Sequence, residues 1–229
     1  MFIKEMASKI LKVFADANGK AEEFFKNIDL AALEAGGFEV RGKTSEERMQ
    51  HLVRQASLGN MQPIKIGSVV LGDITDVTDP CYDRGGGNDL HIKTGPGMYA
   101  VYIQYSDASF DGEWDFRIAT IRVVHSMYQG ERGLFWPEIK EAQYYVGTAP
   151  VDAGLCGFYN RKPDFDAAGW HEFCDGLGNW SEWKFSTYDG RNGVCCSSGF
   201  GDGCYAVYGY ARVKSEGYSI VEIAFISDK

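Results

Sequence analysis

The chain has 229 residues, with 23 Lys/Arg against 32 Asp/Glu and a formal net charge of −9. At this length about 70% of the unfolded chain's surface can be buried, so no disulfide or metal staple is required to hold a core. Hydrophobic residues make up 45% and charged residues 24%, which excludes a globally disordered chain.

Nine basic and nine acidic residues lie in 1–60, which leaves 14 and 23 for the rest. The acid load therefore sits on 61–229, and it argues against nucleic acid as a partner, because like charges repel. No run approaches 18 apolar residues, so no transmembrane helix is expected. The opening MFIKEMASKILKVF contains Glu5 and lacks the apolar run of a secretory signal. The expected location is the cytoplasm. The six cysteines have no regular spacing and no C-x-x-C pair, so reduced, mostly buried thiols are expected.

Residues 1–60 read as a helical N-terminal segment. Ile3, Met6, Ile10, Val13 and Phe14 recur at helical spacing, and Asn18-Gly19 ends that helix. Phe24, Phe25, Ile28 and Leu33 form a second stripe, closed by Gly36-Gly37. Thr44 followed by Glu47 is a capping box that opens a third helix, with Met49, Leu52 and Val53 inward. These stripes predict packing on the body or on a second copy, which makes a homo-oligomer assembled through residues 2–58 one reading of the segment.

Residues 61–229 read as a β-rich domain. Strands are predicted at 64–71, 98–105, 116–125, 142–146, 155–159, 183–187, 194–197, 204–210 and 218–226, separated by glycine and aspartate turn signals. A short helix is predicted near 164–175. Arg122 and Glu222 interrupt otherwise apolar strands and require water or a polar partner. The fold class is α+β, a mostly antiparallel β body behind helices.

One hexapeptide occurs twice, as GMYAVY from Gly97 and GCYAVY from Gly203. Each copy follows a glycine turn, Gly95-Pro96-Gly97 or Gly201-Asp202-Gly203. The repeat suggests two related halves. Alternation places Tyr99 and Val101 on one face and Ala100 and Tyr102 on the other, which marks the hexapeptide as scaffold. The turns in front of it differ, and the difference is Asp202.

Asp79, Asp152 and Asp202 all stand at turns. Aspartate favours turns because its carboxylate accepts backbone N–H bonds, and that alone accounts for it there. Brought together, the three carboxylates would instead suit a hard cation such as Mg²⁺ or Ca²⁺, or divided acid and base roles. The histidines are scattered and show no zinc spacing. Cys81 is a weaker nucleophile candidate, with His91 or His125 as base. Gly85-Gly86-Gly87 lacks the Lys-Ser/Thr of a phosphate loop.

Asp79-Pro80-Cys81-Tyr82, Gly95-Pro96-Gly97-Met98-Tyr99, Val151-Asp152-Ala153-Gly154 and Gly201-Asp202-Gly203-Cys204-Tyr205 follow in order. This series resembles the bacterial and phage domain-of-unknown-function family numbered 4241, over roughly 64–227. The resemblance implies a β-rich fold and a phage or prophage setting, and it implies no particular chemistry. The leading expectation is a non-catalytic binding protein for a small polar ligand or a protein partner. Its site is placed where Asp79, Tyr82, Asp152, Gly154, Asp202 and Tyr205 meet, and no cofactor is called for. One alternative is a metal-assisted hydrolase using Asp79, Asp152 and Asp202, with Mg²⁺ or Ca²⁺; another is a structural or assembly protein that self-associates through its N-terminal helices.

Overall fold

The computed structural model describes residues 2–35, 37–57, 63–80, 89–107, 116–128, 144–161, 183–188, 191–211 and 217–226. Four helices come first: α1 (Phe2–Asp16), α2 (Ala21–Asn27), α3 (Leu30–Ala35) and α4 (Ser45–Ser57). Asn18 and Gly19 end α1 in left-handed backbone, with φ of 51° and 74°. The second stripe is two short helices rather than one, because Ile28 turns extended at the end of α2. The capping box forms as expected. The Glu47 N–H donates to Thr44 Oγ1 at 3.1 Å, and the Thr44 N–H donates back to Glu47 Oε2 at 3.2 Å. Backbone donors at Lys43 and Thr44 hold the Glu47 carboxyl below its ordinary range.

Among the described residues eleven strands follow: β1 (Ile64–Leu71), β2 (Ile74–Thr78), β3 (Leu90–Lys93), β4 (Gly97–Asp107), β5 (Phe116–His125), β6 (Tyr144–Val151), β7 (Leu155–Asn160), β8 (Trp183–Tyr188), β9 (Arg191–Ser197), β10 (Gly203–Tyr210) and β11 (Ile220–Ala224). They form a six-stranded sheet ordered β1-β4-β5-β11-β10-β6 and a five-stranded sheet ordered β3-β2-β7-β9-β8. All these ladders are antiparallel. The fold is therefore α+β and mostly β. β2 and β3 stand where no strand was expected, and β6 runs further toward its C-terminal end than predicted. The predicted helix at 164–175 lies outside the described residues.

The helices share one apolar core with the sheets. Ile10, Phe14, Leu52 and Val53 are fully buried within the single chain. The Phe14 ring meets Trp183 edge-on at 6.1 Å, and Gln50 Nε2 donates to the Trp183 carbonyl at 3.0 Å. Of the apolar stripes, Ile10, Phe14, Phe24, Leu33, Met49, Leu52 and Val53 are buried inside the molecule. No described helix is long and apolar enough to cross a membrane.

The six-stranded sheet is nearly symmetric about its centre. Arg122 on β5 pairs with Glu222 on β11, Tyr102 lies opposite Arg122, and Tyr208 lies opposite Glu222. A half-turn about the midpoint of the Arg122–Glu222 pair exchanges β1-β4-β5 with β6-β10-β11. The two GxYAVY copies become equivalent, each the middle strand of its half. One irregularity recurs in both halves. The ladder skips Ile66 between Lys65 and Gly67 in one half, and Val146 between Tyr145 and Gly147 in the other. Gly67 and Gly147 each admit a side chain from the opposite sheet. A Cβ would meet the Phe185 ring at 2.6 Å in the first case and Leu90 Cδ1 at 2.8 Å in the second. In the second sheet β2 and β7 are neighbours, with Val77 opposite Phe158.

Candidate functional site

The tyrosine that opens each hexapeptide folds back on its own turn. Tyr99 Oη donates to the Gly95 carbonyl at 2.7 Å, and Tyr205 Oη donates to the Gly201 carbonyl at 2.7 Å. Both acceptors lie four residues upstream. Each hydroxyl also reaches a second carbonyl, Tyr218 at 3.2 Å or Ser198 at 2.9 Å. This is the logic of a tyrosine corner, in which an aromatic hydroxyl satisfies turn carbonyls that a strand cannot. Burial raises both phenols above their ordinary value. Tyr205 therefore serves as a turn brace. Tyr99→Phe and Tyr205→Phe are each expected to cost about 1–2 kcal/mol in a urea melt, because the carbonyls lose their donor while the ring packing stays.

Asp79 has an equally structural task. It is 2% exposed, at the end of β2, and its Oδ2 accepts the N–H groups of Asp152 at 2.9 Å and Ala153 at 2.6 Å. Its counterpart by the half-turn is Asn160, at the end of β7. Asn160 Oδ1 accepts the Gly72 N–H at 2.6 Å, and its Nδ2 donates to the Val70 carbonyl at 2.9 Å. Each half thus latches the first turn of the other, with a carboxylate in one case and an amide in the other. The amide of Asn160 accepts one N–H and donates to one carbonyl, whereas one carboxylate oxygen of Asp79 accepts two N–H groups.

The turns themselves converge. Gly154 has φ +68°, a backbone that favours glycine, and a Cβ there would lie 3.7 Å from Gly201 Cα. The Ser198 N–H donates to the Gly154 carbonyl at 3.0 Å, as the Thr94 N–H does to Asp73 at 2.9 Å in the other half. Asp79, Asp152, Gly154, Gly201 and Tyr205 therefore belong to one connected corner of the sandwich, with Asp202 beside Gly201. Tyr82 and Cys81 lie outside the described residues, as does the glycine loop 85–87.

Symmetry separates scaffold from novelty here. From Thr94 to Gly97 the first half spends two intervening residues, whereas from Ser198 to Gly203 the second spends four. The longer turn carries Phe200, 62% exposed, and the exposed Asp202. The Arg117 guanidinium lies 4.9 Å from the Phe200 ring centroid, and its Nη1 donates to the Gly199 carbonyl at 3.1 Å. Asp152 is likewise exposed on the neighbouring turn. The result is an exposed shoulder with one aromatic, one cation and two carboxylates, on hydrogen-bonded turns. Phe200 and Arg117 were not singled out from the sequence. The two-residue lengthening between the repeats was the signal available.

A cation fits this corner poorly. One oxygen of Asp79 is taken by two backbone donors, and no group of three or more His, Cys, Asp or Glu among the described residues could hold a metal ion. A second polar pair lies elsewhere, on the outer face of the five-stranded sheet. His91 Nδ1 is 2.7 Å from Oδ1 of the buried Asp76, an arrangement that orients an imidazole. His125 instead braces the first turn, with Nε2 3.4 Å from the Pro96 carbonyl and its ring edge-on to Tyr99. Comparisons of the chain with family models, with curated proteins and with solved structures give no match.

Proposed function

We propose that this is a non-catalytic binding protein that recognises a protein partner or a polar ligand through the shoulder formed by residues 152–154 and 198–203. One observation carries the reading: the second turn is two residues longer than its counterpart, and the added length holds up an exposed Phe200 beside Arg117 and Asp202. Exposed aromatics flanked by charge are what interfaces use as anchors. Tyr205 and Asp79 support the shoulder from beneath and do not themselves contact the partner. The reading places the protein in the cytoplasm, with a phage or prophage accessory role as its setting.

Comparing wild type with the Phe200→Ser/Asp202→Ser variant tests this. Both side chains are exposed, so the variant should melt within about 1 °C of wild type, as surface changes do. It should lose at least tenfold in affinity for whatever the wild type retains from its host extract. Equal retention by the two proteins would overturn the assignment of the shoulder.

A further inference from the structure

Cys156 and Cys196 are directly opposite one another in the β7–β9 ladder. Both are fully buried, both belong to the apolar core between the sheets, and neither is in a disulfide. The neighbouring Cys195 is also buried but lies outside that core, as strand alternation requires of the next residue. Two thiols therefore face each other across one rung, and the third points away.

We propose that Cys156 and Cys196 form a disulfide-forming site that a small-molecule disulfide such as oxidised glutathione converts to a cross-strand bond. Side chains directly opposite in an antiparallel pair have Cβ atoms about 4.5–5.5 Å apart, and a disulfide needs about 3.5–4.5 Å, so the strands must close by roughly 1 Å. The rung is one residue from the start of β7 and one from the end of β9, and exchange there waits on opening of the ladder and of the latched turn beyond it. Opening matters, because burial pushes the Cys156 thiol well up and the attacking species is the thiolate.

The chemistry balances without a cofactor. One cysteine thiolate attacks a sulfur of oxidised glutathione, forming a mixed disulfide and releasing one glutathione. The second cysteine thiolate then attacks the protein sulfur of that mixed disulfide and releases the second glutathione. Overall, two protein thiols are oxidised to one disulfide, and one glutathione disulfide is reduced to two thiols. The bond would fasten β7 to β9 just beneath the Asp152–Gly154 turn, which enters β7, and the Ser198–Gly201 turn, which leaves β9.

The test is incubation of the native protein with oxidised glutathione, then alkylation under denaturing conditions and peptide mapping. The expected product is a Cys156–Cys196 peptide pair. The bond closes a loop of about 40 residues, so a rise in Tm of about 5–10 °C, reversed by dithiothreitol, should accompany it. Cys196→Ala should abolish both the product and the shift. Recovery of both cysteines as thiols, or a bond from either to Cys81, Cys174, Cys195 or Cys204, would overturn the proposal. The readout is covalent, so it stands or falls apart from the binding role of the shoulder.

Discussion

Replacing Asp79 with alanine is expected to destabilise the protein by about 3 kcal/mol, because two backbone donors lose a charged acceptor at a buried site. That corresponds to a Tm lower by about 10 °C for a chain of this size. Asp79→Asn should cost much less, about 1 kcal/mol, since a neutral amide oxygen can still accept N–H bonds there. The asparagine at 160 already does so for the Gly72 N–H in the other half. The pair of variants separates latch from ligand. A metal ligand or catalytic acid would be crippled by asparagine and alanine alike, with little change in melting. Chemical denaturation of the three proteins is the measurement, and an Asp79→Ala variant within about 1 kcal/mol of wild type would refute the latch.

The second large effect lies at the centre of the six-stranded sheet. Arg122 is 1% exposed and Glu222 4%; Arg122 Nε donates to Glu222 Oε2 at 2.8 Å, and Nη2 donates to the same oxygen. Burial draws the guanidinium down from its ordinary value, and the carboxylate holds it up. Removing one partner leaves an uncompensated buried charge, so Arg122→Met should cost about 3–5 kcal/mol. Glu222→Leu alone should cost a similar amount. The double variant should recover most of that loss, because an apolar pair of similar volume owes no desolvation. A double-mutant cycle measures the coupling, and additive losses would show that the pair does not act as a unit.

Much of this architecture is written in local sequence. β1 and β5 are legible because β-branched residues crowd them, and the repeated hexapeptide located the middle strand of each half. The capping box at Thr44 and Glu47 needs only three residues of context. β2 escaped because Asp76, mid-strand, reads as a loop residue, and its burial becomes sensible only once His91 arrives beside it. β3 is four residues long, too short for alternation to show. The latches could not be read at all. Asp79 reaches a turn 73 residues away and Asn160 one 88 residues away, and nothing near either announces the partner. The tyrosine corners were within reach, since Gly-x-Gly-x-Tyr appears twice with the acceptor glycine at a fixed distance. Of the six site residues expected, Tyr82 lies outside the described residues, and Asp79 and Tyr205 hydrogen-bond to the backbone of the turns. Asp152 and Asp202 stand at the surface, and Gly154 joins the turns.

The near-symmetry of the six-stranded sheet carries a consequence for how such a molecule can evolve. In a dimer of two identical half-length chains, a residue on the twofold axis faces its own copy, so arginine would meet arginine or glutamate would meet glutamate. Arg122 opposite Glu222 is possible only where the two positions are free to differ, as they are when both halves are separate segments of one chain. Splitting the chain between β5 and β6 would yield two fragments that each carry an unmatched charge at the seam. Each should therefore prefer the other to a copy of itself.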